Sequence, residues 1–295
     1  MIDLYKGDCL EVMDRLISQN IVVDAIITDV PFNTTACDWD FLIPFNNHIM
    51  LSVSKRSKKL KPIYKDEYIL QELKAGREYQ EICEYFDTNS KEGMWSRLNK
   101  LIKPNGAIVL FGSEPFSSAL RMSNIKNFKY DWKWNKKIAS NFASANKQPL
   151  RITEDIMIFN SKIYYPLKTK GKMRKKGGGK QFVGVYGDSQ KDKITEPYLS
   201  DMYHPTNIIE IGNAKRKGKV HPTQKPVALG QYLIRTYTNK GETILDFTAG
   251  SGSFGVSAIR EGRMFIGIEL NNEYFKIMEE RIKKELQSNS GYGIL

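Results

Sequence analysis

Apolar residues fall into short β-branched runs that alternate with longer segments of helical periodicity along most of the chain. The β-branched runs lie at 2–5, 22–28, 107–112, 155–160, 243–247 and 264–269. The helical segments lie at 9–17, 95–102, 115–123, 226–238, 254–261 and 273–286. Such alternation is typical of buried parallel strands that are joined by helical crossovers. The pattern therefore predicts an α/β fold with a doubly wound sheet.

Residues 47–93 interrupt this alternation with a basic opening and a polar helical pattern. Two stretches of helical spacing, 66–75 and 78–86, are separated by Gly76, which can end the first helix. A third predicted helix, which contains Trp95, follows them. This outline is that of a helix-turn-helix unit, which is compatible with an additional contact to DNA. Packing against another subunit stays open, because the second stretch carries three glutamates that would repel phosphates.

A second interruption, 161–219, contains the segment KTKGKMRKKGGGK at 168–180, with seven basic residues, four glycines and no acidic residue. A polycationic segment of this kind repels itself and gains little from burial. We expect it to form a solvated loop or to lie on a polyanion. The side chains expected to contact phosphates are Lys168, Lys170, Lys172, Arg174, Lys175, Lys176 and Lys180.

Composition and charge narrow the class of protein. The 295 residues, 41% apolar and 26% charged, suffice to bury a full core, and the net charge of +12 favours a polyanionic partner. Three cysteines without CxxC spacing and three scattered histidines indicate neither a disulfide framework nor a metal site. Because the sequence shows neither a secretion signal nor a long apolar run, a soluble cytoplasmic protein is expected.

The segment ETILDFTAGSGSFG, at 242–255, has the order strand, glycine turn, helix. Gly250 and Gly252 lack Cβ atoms and let the backbone approach a ligand, and the helix N-terminus adds unpaired N–H groups. The next predicted strand ends at Glu269, which is placed to accept hydrogen bonds from two ribose hydroxyls. The arrangement predicts a site for a nucleoside-containing cofactor, with a plain tight turn as the alternative.

The segment DAIITDVPFN, at 24–33, places chemistry at the end of another buried strand. Asp29 supplies a carboxylate, and Pro31 restricts Val30 to extended geometry, which aims the Val30 carbonyl. Phe32 adds an aromatic face. These groups suit a planar heterocycle with an exocyclic amine, whose hydrogens the two acceptors would take. The alternative is a simple exit from the strand.

Together these segments resemble the S-adenosylmethionine-dependent DNA amino-methyltransferases, in the permuted order called the beta class. The catalytic tetrapeptide of that family, typically Asp-Pro-Pro-Tyr, is matched by Asp29-Val30-Pro31-Phe32. The cofactor loop, typically Asp-Pro-Phe-x-Gly-Ser-Gly, is matched by DFTAGSG at 246–252. HPTQKPVAL, at 221–229, is similar to the segment that encloses the methionine end of the cofactor. KGDCLEVM, at 6–13, is similar to the segment whose acid, here Asp8, approaches the cofactor adenine.

The resemblance implies a Rossmann-like methyltransferase sheet that is circularly permuted, so that the strand at 2–5 pairs beside the strand ending at Glu269. It implies a core formed by 1–46, 94–160 and 220–295, a helical insert at 47–93, and a small target-recognition region at 161–219. The catalytic residues would be Asp29, Val30, Pro31 and Phe32. The cofactor-binding residues would be Asp8, Cys9, Asp246, Phe247, Ala249, Gly250, Gly252, Glu269, Leu270, Thr223, Gln224 and Lys225.

The activity implied is methylation of adenine N6 in double-stranded DNA by base flipping, because family members with Asp at position 29 usually act on adenine. Cytosine N4 methylation is the main alternative. A catalytically weak DNA-binding protein, and methylation of RNA or of a protein glutamine, also stay open. A homodimer and a cognate restriction enzyme are candidate associations. Four residues depart from the family pattern, namely Val30, Phe32, Phe247 and Thr248.

Overall fold

The computed structural model of the chain describes residues 1–32, 43, 45, 49–53, 60–82, 84, 93–177, 196–213 and 224–290. Its strands are β1 (Ile2–Lys6), β2 (Val23–Thr28), β3 (Ile49–Val53), β4 (Leu60–Tyr64), β5 (Ile102–Gly112), β6 (Phe128–Ser140), β7 (Arg151–Phe159), β8 (Thr169–Lys176), β9 (Tyr198–Tyr203), β10 (Ile208–Glu210), β11 (Thr243–Asp246) and β12 (Met264–Glu269). Its helices are α1 (Cys9–Ser18), α2 (Lys65–Lys74), α3 (Met94–Leu101), α4 (Phe116–Ser123), α5 (Val227–Tyr237), α6 (Ser253–Arg260) and α7 (Asn272–Ser290).

The central sheet has the strand order β1-β12-β11-β2-β5-β7-β6-β10. Its first five strands are parallel, as the sequence predicts. Strand β7 is antiparallel to both of its neighbours, so the prediction of a parallel strand at 155–160 is wrong. The physical reason is that the connection from β6 to β7 holds a single short 3₁₀ turn, Phe142–Ser144, and a parallel crossover needs a longer, usually helical, connection.

The N-terminal strand lies at the edge that the permuted order requires. β1 pairs in parallel with β12, and the register places Tyr5 opposite Ile268 and Lys6 opposite Glu269. The residues that follow β1 therefore reach the same edge of the sheet as Glu269, although they are distant in sequence. This pairing confirms the predicted neighbour of β1.

Alternate residues of the central strands bury against helices on opposite faces of the sheet. Ile26 belongs to the core that contains α1, α3 and α4, whereas Ile27 belongs to the core that contains α5, α6 and α7. Ile108 and Val109 on β5 divide in the same way. This period of two on strands covered on both faces is the packing of a doubly wound fold. The predicted fold class is confirmed.

The insert contains more than helices. β3 and β4 form an antiparallel hairpin before α2, and no hairpin was expected there. Gly76 follows α2 with φ of 82°, a left-handed conformation that glycine adopts without strain and that suits the end of a helix. The second predicted helix is helical at 79–82 and 84, and its remainder lies outside the described residues.

The chain divides into two compact units, 1–165 with 207–295 and 166–206. The second unit contains the antiparallel pair β8 and β9, so the expectation of a loop over 168–180 is wrong for 169–176. Backbone pairing along the facing edges of β8 and β9 satisfies N–H and C=O groups there without requiring an apolar face. β10, which lies inside 161–219, belongs to the central sheet. Across the described ranges, no helix combines the length and apolarity needed to cross a bilayer.

Candidate active site

A cavity of about 640 Å³ opens at the carboxyl ends of β1, β2, β11 and β12. This edge is where ligands bind in open α/β sheets. Among the predicted catalytic and cofactor-binding residues, those that line it are Asp8, Cys9, Asp29, Val30, Pro31, Phe32, Gln224, Lys225, Asp246, Phe247, Ala249, Gly250, Glu269 and Leu270. Gly252 does not line it, and Thr223 lies outside the described residues. The fold thus assembles one chamber from segments at both ends of the chain.

The glycine turn after β11 is anchored by the acid at the end of β12. Glu269 Oε2 accepts a hydrogen bond from the Gly250 N–H at 2.7 Å, and Oε1 accepts one from the Asn271 N–H at 2.7 Å. Gly250 has φ of 53° and Gly252 has φ of 76°, so both positions need the left-handed region. Burial raises the pKa of Glu269, while these backbone donors oppose that rise. Each carboxylate oxygen keeps a second lone pair for a ligand.

A pair of threonines joins the two motifs that sequence analysis treats separately. Thr28 Oγ1 donates to Asp246 Oδ1 at 2.7 Å and lies 2.6 Å from Thr248 Oγ1. Thr248 Oγ1 is also 3.2 Å from the Asp29 carbonyl oxygen, to which it can donate. Sequence analysis missed this link and noted Thr248 as a departure from the family pattern. The hydroxyl of Thr248 here connects the glycine turn after β11 to the backbone of Asp29.

Asp246 is buried beneath this link. Desolvation raises the pKa of Asp246 to about 8, although hydrogen bonds from Thr28 and from the Thr248 N–H favour the charged form. The carboxyl group therefore carries a proton over much of the neutral range.

Asp8 has a structural role in addition to its place on the cavity wall. It caps α1, with Oδ1 accepting from the Leu10 N–H at 2.9 Å and from the Glu11 N–H at 3.2 Å. Cys9 follows it in the first turn, and burial raises the pKa of its thiol. The proposed contact of Asp8 with the cofactor adenine stays a prediction.

Asp29 contacts a buried lysine. Lys225 Nζ lies 2.6 Å from Asp29 Oδ2 and 3.3 Å from Glu154 Oε2. Lys136 Nζ lies 3.1 Å from Glu154 Oε1. From the sequence, Lys225 is expected among the cofactor-binding residues, and the structure places its ammonium against the Asp29 carboxylate. Glu154 and Lys136 were missed, because a lysine and an acid on two strands give no local signal that they meet.

Aromatic rings form the walls around these charges. Phe32 stacks on Phe116, with ring centroids 4.9 Å apart and planes at 30°. Lys225 Nζ lies 5.2 Å from the centroid of Phe111 and 5.8 Å from that of Trp134. Val30, which replaces the first proline of the family tetrapeptide, is buried. The site therefore combines carboxylates with apolar, ring-lined walls, as ligand sites commonly do.

Comparison with known sequences assigns the chain to a family. The family model for N6/N4 DNA methylases, described as DNA methylase, matches residues 23–280. The protein belongs to the DNA methylase family. Over its whole length it is similar to the type II methyltransferase M.HindIII of Haemophilus influenzae, at 25% identity and with 96% of each chain covered.

Stronger similarity is confined to short segments. The type II methyltransferase M2.DpnII of Streptococcus pneumoniae is 48% identical over 69 residues, which cover 23% of this chain and 26% of that protein. The DNA adenine methyltransferase YhdJ of Escherichia coli is 50% identical over 62 residues, 21% of each chain. These matches span about a quarter or less of the length of these two relatives.

Solved structures share the fold of this DNA methylase. The complex of M1.HpyAVI with SAM aligns with a TM-score of 0.53 and 23% identity, covering 96% of this chain and 99% of the other. The cytosine-N4-specific PvuII DNA methyltransferase aligns with a TM-score of 0.54 and 18% identity, covering 96% and 89%. The Rossmann-like α/β architecture is therefore common to all three proteins.

The basic side chains of the second unit are mainly exposed. Lys168, Lys172 and Lys175 are open to solvent, and Lys170 lies 3.7 Å from Asp201. Lys176 is partly buried, with Nζ 4.0 Å from the ring centroid of Tyr203. Arg174 is exposed as well, and Lys180 lies outside the described residues. Most of the predicted phosphate-contacting groups are thus available to a polyanion.

Proposed function

We propose that this DNA methylase transfers a methyl group from S-adenosylmethionine to the N6 amine of adenine in duplex DNA. The observation that carries the proposal is a single cavity shared by the tetrapeptide at 29–32 and by the glycine turn with Glu269. A cofactor and a substrate base bound there would meet at the carboxyl edge of the sheet.

The residues present fit this cofactor. The cavity, about 640 Å³, is within the range of roughly 300–1,000 Å³ typical of small-molecule sites. Glu269 offers acceptors for ribose hydroxyls, Asp8 lines the wall near the end of β1, and Gln224 lines the wall next to Lys225. When bound, S-adenosylmethionine supplies an electrophilic methyl group carried on a sulfonium.

The tetrapeptide supplies the acceptors that an exocyclic amine needs. The nitrogen of such an amine is a poor nucleophile, because its lone pair is delocalised into the ring. Hydrogen bonds from the amine to the Asp29 carboxylate and the Val30 carbonyl would favour a more tetrahedral nitrogen, and alignment in the cavity adds to the rate. Asp29 would also accept the proton that this nitrogen releases. Phe32 would replace part of the stacking that a flipped base loses.

The preference for adenine rests on Asp29, since the resemblance associates Asp at that position with adenine N6 and Ser with cytosine N4. Relatives of both kinds occur, as the names of YhdJ and PvuII state. The net charge of +12 and the exposed basic hairpin support duplex DNA as substrate. Relatives named type II methyltransferases support a role beside a cognate restriction enzyme.

The experiment is incubation of the protein with isotopically labelled S-adenosylmethionine and duplex DNA, followed by mass spectrometry of the nucleosides. The proposal predicts labelled N6-methyldeoxyadenosine. Labelled N4-methyldeoxycytidine would show that the target base is cytosine and not adenine, while the reaction class stays the same. Label in RNA or protein, offered in parallel, would change the substrate class. No label in any substrate, together with retained binding to duplex DNA, would favour a DNA-binding protein that lacks turnover.

A further inference from the structure

Four charged side chains of alternating sign extend from the catalytic tetrapeptide into the protein. Asp29 contacts Lys225, Lys225 contacts Glu154, and Glu154 contacts Lys136, at distances of 2.6, 3.3 and 3.1 Å. The four residues come from the end of β2, the segment before α5, β7 and β6. Two negative and two positive groups balance, so the chain of contacts has no net charge.

Burial of these charged side chains carries a large desolvation cost. Lys225 is 7% exposed and Lys136 is 6% exposed, and the rings of Phe111 and Trp134 flank the Lys225 ammonium. A lysine in such surroundings stays charged only when carboxylates compensate for its lost hydration. Burial opposes the charge of Lys225, but Asp29 and Glu154 outweigh it and raise the pKa of the ammonium. Burial likewise opposes the charge of Glu154, and the two lysines lower its pKa.

We infer that Lys225 and Glu154 are positioning residues that orient the Asp29 carboxylate and keep it charged for the target amine. This inference rests on the proposed function. Lys225 engages Asp29 Oδ2 and so restrains rotation of the carboxylate plane. Lys225 divides its electrostatic attraction between Glu154 and Asp29. Asp29 is therefore a better hydrogen-bond acceptor for the amine than it would be if Lys225 paired with it alone.

Other charged groups also face this cavity. Asp246 at the end of β11 carries a proton over much of the neutral range, because desolvation raises its pKa to about 8, so it adds little repulsion. Glu269 and Asp8 lie on the cofactor side, and Arg151 lines the wall next to β7. Lys225 differs from all of them in contacting the Asp29 carboxylate directly.

The test is the pH dependence of methyl transfer at saturating cofactor and DNA. In Lys225→Met, Asp29 loses its cation and keeps Glu154 as a like charge, so protonation of Asp29 moves to higher pH. The acid limb of kcat should shift upward by about 1–3 pH units, with much of the activity recovered at alkaline pH. Lys225→Arg retains the charge and should retain the wild-type limb.

A second substitution separates electrostatics from packing. Glu154→Gln in the Lys225→Met background removes the like charge, and it should move the acid limb back towards the wild-type position. In Glu154→Gln alone, Lys225 pairs only with Asp29 among these two acids, so its full charge acts on Asp29. The acid limb of kcat should therefore move to lower pH, and kcat should fall. Loss of packing would not produce opposite shifts from the two single variants, nor compensation in the double variant.

Lys133→Met is the matched control. Lys133 also bridges two carboxylates, Asp131 at 2.9 Å and Asp155 at 2.6 Å, and it does not line the cavity. Its removal should leave the acid limb in place. Calorimetric titration of each variant with S-adenosylmethionine shows whether the cofactor site is intact.

The outcomes divide as follows. An unshifted acid limb in both Lys225→Met and Glu154→Gln would overturn the inference while leaving the methyltransferase assignment standing. Loss of cofactor affinity in Lys225→Met, together with an unchanged acid limb of kcat in Glu154→Gln, would assign Lys225 to cofactor binding. This result would also overturn the inference. If Lys225→Met fails to fold, Glu154→Gln carries the test alone. Absence of methyl transfer by the wild type would instead refute the proposed function.

Discussion

The carboxylate of Glu269 is predicted to stabilise the protein even without a ligand. Replacing it in Glu269→Ala removes the acceptors of two backbone N–H groups, each bonded at 2.7 Å. Hydrogen bonds to a charged group contribute about 1.5–3 kcal/mol each, and the desolvation that raises the pKa of Glu269 offsets part of this. We expect the free energy of unfolding to fall by about 2–4 kcal/mol.

The same substitution should lower the affinity for S-adenosylmethionine by roughly 5- to 150-fold. This loss corresponds to about 1–3 kcal/mol for lost hydrogen bonds to the ribose. Urea denaturation of the ligand-free protein measures the first effect, and calorimetric titration measures the second. Glu269→Gln keeps one acceptor oxygen and should give intermediate values for both.

Glu280→Ala, which removes an exposed acid of α7, is the control and should change stability by less than about 0.5 kcal/mol. Unchanged stability in Glu269→Ala would show that the two short hydrogen bonds do not anchor the glycine turn. Unchanged affinity would remove Glu269 from the cofactor site.

Three further outcomes are expected. Asp246 has a pKa of about 8 in the folded state against about 4 when unfolded, so the folded state binds more protons and stability falls as pH rises through this window, by up to about 1.4 kcal/mol per unit. Asp246→Asn should reduce the difference in the free energy of unfolding between pH 5 and pH 8, as measured by urea denaturation. An unchanged difference would show that Asp246 does not cause the pH dependence. Lys175→Gln should weaken binding to all duplex sequences alike and reduce the slope of log K against log salt concentration by about 0.9. Lys176→Gln should have a smaller effect, because the Lys176 ammonium lies on the ring of Tyr203. A changed sequence preference in Lys175→Gln would mean that Lys175 reads bases. Val30→Pro should keep methyl transfer at or above the wild-type rate, since only the Val30 carbonyl is used; a large loss would give the valine side chain a role.

The fold was predictable where periodicity is strong. Every β-branched run noted in the sequence forms a strand, and every helical segment of the predicted core forms a helix, because these segments bury apolar faces. β6 was missed because its alternation uses Trp132, Trp134 and Lys136, a lysine where an apolar residue is expected. The direction of β7 depends on the length of a connection, which apolar patterns do not record.

The basic segment at 168–176 was misjudged for a different reason. β8 is almost entirely exposed, so no buried face marks it as a strand, and its backbone pairing with β9 lies more than twenty residues away in sequence. Charge predicted its solvent exposure correctly, since Lys172 and Lys175 are open to solvent. Charge says little about backbone conformation when a partner strand is available.

In the site, acids at the ends of strands were predictable because the topology of a parallel sheet collects them at one edge. Asp29, Asp246 and Glu269 all line the cavity. The contacts of Lys225 with Asp29 and Glu154 were not predictable, because they join residues from three separate elements. The threonine link through Thr28 and Thr248 escaped notice for the same reason.

In the proposed mechanism, Asp29 acts on the target amine and leaves the cofactor to other residues. The most direct measurement is the single-turnover rate of methyl transfer by Asp29→Ala, together with its affinity for S-adenosylmethionine by calorimetry. We expect a rate at least about 100-fold lower than that of the wild type, the scale for removal of one group that stabilises the transition state, with the affinity nearly unchanged. A rate comparable to that of the wild type would show that Asp29 does not act on the target amine.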